Sequence, residues 1–338
     1  MQDVYNQSCN IQGKTHKDTL TYLGFYASIL WSLGKRSDAL TIREEIYHIA
    51  QESTDNNLAP FLSTSEALSE QYLKMGKTNN AIAIDQSAYA ISQKTYGENH
   101  PKTLLQLKNM AIHLSQIPAK ENEGLSIIKN VYETEKNLLG ENHSITIRTL
   151  CDYGKCLFHI AATHQDRALY KDAETVLLQA LQSSLESLGP ENNCTLSIKR
   201  ALSEISIILE KPEEALSYCQ AIYDTRQQTL GENNPCTLAA EQSVVLALAH
   251  AGRLEESIVC AENLYKKCIH ILGTNHPTTL EIAQILAVEY FNSGQTENAK
   301  QLDELIYLAR KEVLGENHIN TIWSEHQVAF NCFWFLQM

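Results

Sequence analysis

The chain is 338 residues long, carries 27 Lys and Arg against 40 Asp and Glu for a formal charge of −13, and is 43% apolar. That composition can bury a sizeable core and is neither disordered nor Pro/Gly-rich, and its acidity excludes a general binder of nucleic acid or anionic lipid. No apolar run reaches the roughly 18 residues of a membrane helix, residues 1–12 lack the apolar core of a secretory signal, and nine scattered Cys read as reduced thiols of a cytoplasmic chain without a disulfide framework.

Residues 1–12 come first and read as the last turns of a helix, because Tyr5 falls in register with later tyrosines. A recurring phrase then organises the chain. It reads Tyr96-Gly-Glu-Asn-His-Pro-Lys-Thr-Leu104 and returns, varied, at Leu139, Leu188, Leu230, Leu272 and Leu314, with a weaker copy at Gly13–Leu20. Its glycines are Gly13, Gly97, Gly140, Gly189, Gly231, Gly273 and Gly315, and Asp55 takes the midpoint of the first, double-length gap. A fixed period of this length is the mark of a repeat protein. The units run 13–54, 55–96, 97–139, 140–188, 189–230, 231–272 and 273–314, followed by a terminal helix over 315–338.

The phrase is a junction. Its glycine stops a helix by taking a left-handed conformation, Asn-His-Pro turns the chain, and the proline opens the next helix. Within a unit, a large apolar residue and a small one lie 13 and 14 positions after the glycine, as in Tyr26-Ala27, Met110-Ala111 and Leu286-Ala287. A second small residue follows about twelve positions on: Ala39, Ala81, Gly124, Ala173, Ala215, Ser257 and Ala299. Small residues at matched sites let two backbones approach, so each unit is predicted to be an antiparallel helix pair. Tyr47, Tyr89, Tyr132, Tyr223, Tyr265 and Tyr307 recur eight residues before the glycine position of the next phrase and are expected between units. The fourth unit carries seven extra residues around Ala161–Ala168, expected between its two helices as about two added helical turns at one edge, a tolerated surface insertion or, alternatively, a partner-facing spur carrying His164, Gln165, Asp166 and Arg167. The tail Phe330–Leu336 is too apolar for a solvated cap and suggests self-association through the C-terminal helix, or an excised piece of a longer protein.

The core spacings Leu23-x2-Tyr26-Ala27-x2-Leu30 and Leu107-x2-Met110-Ala111-x2-Leu114 resemble the tetratricopeptide repeat. The usual period of that repeat is about 34 residues. A period of 42 with Leu-Gly-Glu-Asn-His-Pro-x-Thr-Leu junctions is similar to the longer variety found in kinesin light chains. The resemblance implies an all-α, right-handed superhelical solenoid. It also implies a protein–protein interaction scaffold that receives short acidic segments built around an aromatic. Asn109 matches the Asn of the family's Leu-x-Asn-Leu-Ala phrase, here Leu107-Lys-Asn-Met-Ala111.

Chemistry is sparse. Cys151, Cys156 and His159 are spaced five and three apart, unlike a zinc site, and cannot converge from one helix. Five of the twelve His sit in the repeated turn, a structural place. No phosphate-binding glycine loop or nucleophile elbow is present in the sequence. The expectation is a non-enzyme with no cofactor and no metal.

Sites facing a partner fall 8, 11, 12, 15, 18 and 19 residues after each glycine. In units three to five they place Lys108, Arg148, Lys155 and Arg200 against Asp152 and Glu204, with Asn109 and Phe158 between. Lys108, Asn109, Arg148, Lys155, Phe158 and Arg200 are the candidate peptide-binding residues, the cations for carboxylates of an acidic segment, Asn109 for its backbone and Phe158 for an apolar anchor. The same cations equally fit a solvated face with internal pairs such as Arg200 with Glu204. In units six and seven, Leu246, Ala249, Val288 and Phe291 make the corresponding surface more apolar. The function expected is an adaptor holding a peptide segment. The alternatives are a bacterial secreted effector that engages host proteins in the host cytoplasm, or a regulatory arm of a larger enzyme or signalling ATPase.

Overall fold

The computed structural model describes Gly13, residues 16–52 and residues 58–335, the side chains of Lys17 and of residues 330–335 excepted. Segment 1–12, Asp55 and the side chains of the aromatic tail therefore lie outside the described residues. Among the described residues there are fifteen α-helices and no strand. They are α1 (Lys17–Ser32), α2 (Arg36–Glu52), α3 (Leu58–Lys74), α4 (Thr78–Tyr96), α5 (Pro101–Ser115), α6 (Glu121–Leu139), α7 (Ser144–His164) and α8 (Arg167–Ser187). The remainder are α9 (Asn193–Ile208), α10 (Pro212–Leu230), α11 (Pro235–His250), α12 (Leu254–Leu272), α13 (Pro277–Asn292), α14 (Thr296–Leu314) and α15 (Ile319–Phe335). The chain forms two compact units that divide inside α8, residues 1–176 and 177–338.

In the first unit α1 to α7 pack each on the next, and α5 also touches α3 and α7. In the second, α9 to α15 do the same, and α11 touches α13. Two- to five-residue connections force neighbouring helices antiparallel. The small residues are where the backbones meet: Ala27, Ala39, Ala81, Ala111, Ala173, Ala215 and Ala299 have no exposed surface. Gly124 is the tightest case. A Cβ there would stand 2.6 Å from the Ala111 carbonyl and the Ser115 amide of α5, so α6 lies directly on the α5 backbone. Tyr47 of α2 fills the space towards α3, its ring 5.3 Å from that of Phe61 and its hydroxyl 3.4 Å from Ser87 Oγ.

The junction phrase is explained residue by residue. His16, His100, His143, His276 and His318 each accept a hydrogen bond at Nδ1 from the amide two residues on, at 3.2–3.3 Å. They are helix N-caps, and Asn192 and Asn234 replace them with Oδ1 at 2.9 Å. The buried threonine of the phrase donates to the carbonyl eleven residues back, Thr103 to Ser92, Thr237 to Arg226 and Thr321 to Arg310, stitching successive helices together.

The junction glycine differs from the expected left-handed cap. Gly97 has φ 90° and ψ 164°, and Gly140, Gly231, Gly273 and Gly315 match it closely. That region is reserved for glycine, whereas the left-handed one is not. The turn inside each pair shows the contrast: Gly34, Gly76, Gly252 and Gly294 have φ of 71–78°, and Glu210 fills the equivalent place with φ 63°. The seven extra residues of the fourth unit are added helical turns, as expected. They lengthen the helices, α7 and α8 each reaching 21 residues with only Gln165 and Asp166 between them.

Candidate binding clefts on the first helices of the pairs

In the first unit a cleft of about 510 Å³ opens between α3 and α5. Glu66, Glu70, Leu73 and Lys74 line it from α3, and Asn109, Ile112, His113 and Gln116 from α5. Thr78 of α4 completes the lining, and all but Thr78 and His113 occupy the positions expected to face a guest. Lys74 Nζ is 2.6 Å from Glu70, so that cation is matched within its own helix. The amide Nδ2 of Asn109 is buried with no hydrogen-bond partner. A buried donor left unsatisfied costs about 1–3 kcal/mol, and a guest carbonyl would recover it.

His113 forms the wall of this cleft. Its Nδ1 lies 2.7 Å from Asp85 Oδ2 and 3.4 Å from Ser69 Oγ, and all three residues are buried. The residue types are those of a hydrolytic triad, but both partners meet the same ring nitrogen. A relay needs the carboxylate on one nitrogen and the hydroxyl on the other. The group is a strut tying α3, α4 and α5 together.

The candidate residues of the first unit separate into two kinds. Lys108 is not available to a peptide: only 5% exposed, it places Nζ 2.7 Å from Asp152 of α7. Lys108 also faces Glu135 of α6, whose carboxyl burial pushes upward against the pull of the lysine charge. Arg148 is exposed, and Lys155 and Phe158 are half-buried on the same helix α7. The Phe158 ring packs 5.8 Å from that of Tyr170. Cys156 and Cys151 are buried while His159 is exposed, and burial raises the Cys156 thiol to about 11, away from the thiolate a metal would need. In the second unit Arg200 is exposed and held by Glu204 at 3.2 Å, the internal pair that competed with the binding reading.

The second unit has its own cleft between first helices, about 340 Å³ between α11 and α13. Gln242 and Leu246 line it from α11, and Glu281, Gln284, Ile285, Val288 and Glu289 from α13. The apolar character expected from Leu246 and Val288 is present, both being exposed. Sequence reasoning missed Glu289, which is only 4% exposed, because its place sixteen residues after the glycine is outside the guest-facing register. It also missed a larger cleft of about 880 Å³ among α10, α11 and α12, floored by Leu216, Val244 and Leu248 and rimmed by Arg253, which reaches Glu256 at 2.6 Å.

A family model described as tetratricopeptide repeat matches residues 63–102, which run from α3 through α4 into α5. A solved structure of nearly identical TPR-like repeats, assigned to a kinesin light chain of Podosopora anserina, superposes with a TM-score of 0.56 at 19% identity, over 63% of this chain and 97% of that one. The fold is that of the tetratricopeptide repeat, in its kinesin-light-chain-like form. BtubC (BKLC) from P. vanneervenii aligns at 13% identity and TM-score 0.47, over 83% of this chain and 92% of the other. A tetratricopeptide repeat protein from Parabacteroides merdae gives the same identity and score over 93% and 98%. No curated protein matches the sequence. Among the described residues, no helix of these tetratricopeptide repeats is long and apolar enough to cross a membrane.

Proposed function

We propose that this chain is a non-catalytic adaptor of the cytoplasm that holds an extended segment of a partner protein against the first helices of its pairs. The observation that carries the reading is Asn109, a buried amide without a partner at the edge of the α3/α5 cleft. A guest main-chain carbonyl satisfies it, and pairing with backbone gives affinity without demanding a sequence. Arg148, exposed on the next first helix α7, continues the same register with positive charge, so acidic side chains are favoured, and Lys155 and Phe158 of that helix follow it along the register. Lys108 and Arg200 drop out of this clamp, since each already serves a carboxylate of its own.

The test is a fluorescein-labelled peptide carrying one Trp flanked by Asp and Glu, titrated by anisotropy. Asn109→Ala and Arg148→Glu should each weaken it at least tenfold while the helical circular dichroism stays unchanged. Equal affinity in both variants removes this surface from the function. The exposed Ile319, Ile322 and Trp323 of α15 favour one further reading, self-association through that helix, which sedimentation at rising concentration would reveal.

A further inference from the structure

The α11/α13 cleft of the second unit has a feature that the adaptor reading does not use. Glu289 is 96% buried, lines the cleft, and its Oε2 has no hydrogen-bond partner. A carboxylate removed from water without a partner is costly, and burial accordingly pushes its carboxyl upward, offset in part by the Ser257 hydroxyl alongside.

The repeat explains why the partner is missing. Sixteen residues after its glycine, Glu289 holds the place that His113 holds in the third unit. His113 is satisfied by Ser69 and Asp85 of the preceding pair. At the matching positions before Glu289 stand Val245 and Ala261, both buried and neither able to bond it. The cleft has therefore kept a polar group and lost the two internal groups that answer it in the third unit, leaving the Ser257 hydroxyl alongside and Oε2 without a partner.

We propose that this cleft receives a basic side chain, an arginine or lysine presented by an extended segment of a partner protein. The chemistry of the walls matches that guest. Leu246, Ile285 and Val288 cover a methylene stem, Glu289 takes the cationic head, and Glu281 at the exposed mouth adds a second negative charge. At about 340 Å³ the cleft lies at the lower end of the range for ligand sites. Arg310 feels the Glu281 charge but does not reach Glu289: it donates to Gln284 Oε1 at 2.9 Å and to Ser324 Oγ at 2.7 Å. The surrounding charge favours cations, with ten Lys and Arg against twenty Asp and Glu over residues 177–338. This site is separate from the one proposed around Asn109 and takes a guest of opposite sign, so either can fail alone.

The experiment uses the full chain with methyl-labelled Ile, Leu and Val, titrated with n-butylguanidinium and with its neutral isostere n-butylurea. Saturable shifts of the Leu246, Ile285 and Val288 methyls by the cation, at least tenfold weaker for the urea, are expected. Glu289→Gln should reduce the cation's affinity at least tenfold while distant methyls stay in place. Should that variant unfold, Glu281→Gln at the exposed mouth should still weaken the cation severalfold. Equal shifts from the urea, no saturable shift from the cation, or unchanged affinity in the variants would overturn the assignment.

Discussion

The two first-helix clefts are built from the same register and end in opposite chemistry. In the α3/α5 cleft the polar side chain of the wall, His113, is engaged at Nδ1 and the unanswered group is a donor, Asn109 Nδ2. In the α11/α13 cleft the wall residue itself is unanswered and is an acceptor, Glu289 Oε2. The surrounding charge differs in the same sense: residues 1–176 hold seventeen Lys and Arg against twenty Asp and Glu, a far milder excess than in the second unit. The periodic skeleton fixes where the clefts lie, and single substitutions at two or three positions per pair decide which polar group is left unanswered in them.

The most severe way to break the comparison is to remove the charge that seats α5 beside the first cleft. Lys108→Glu would put a third carboxylate beside Asp152 and Glu135, and uncompensated buried charge costs about 3–5 kcal/mol, so a large fall in the urea midpoint is expected. A midpoint equal to wild type would mean that Lys108 is solvated. Next is Asp85→Ala, which leaves His113 as poorly partnered as Glu289. A loss of about 1–3 kcal/mol is expected, and an unchanged melting temperature would show that the strut contributes nothing.

The smallest effect has the opposite sign. Burial holds the Glu289 carboxyl above its ordinary value, so the folded chain keeps that proton longer than the unfolded one. Stability on this account is complete below the ordinary carboxylate range and is lost as pH climbs through the raised value. Glu289→Gln should therefore stabilise the protein by about 1 kcal/mol at neutral pH and by nothing in acid. A variant less stable than wild type at both values would mean that the carboxylate is satisfied after all.

Much of this was legible in the sequence, because repetition amplifies weak signals. One glycine or one alanine says little, but seven at a fixed interval locate every helix contact, and Ala39, Ala81 and Ala299 are as buried as the pattern requires. The register that lines the two clefts of α3, α5, α11 and α13 was readable for the same reason. Lys108 was not, since its fate is set by Asp152, 44 residues away on another helix. Glu289 was hidden for the converse reason: its isolation is a property of Val245 and Ala261, which look like ordinary core. Local spacing fixes the direction of a side chain and leaves its partners across helices open. The capping role of the recurrent histidines was legible only in part, because asparagine at Asn192 and Asn234 hints at a shared acceptor without showing it.

The junction glycines have a consequence for chemical synthesis. Gly97, Gly140, Gly231, Gly273 and Gly315 share one backbone geometry, and a Cβ built on each meets nothing within 4 Å. What bars an ordinary residue there is handedness and not space. A D-alanine installed by peptide ligation would find those torsions natural, would narrow the options of the denatured chain, and would tighten every hinge between pairs without altering a single surface that a partner meets.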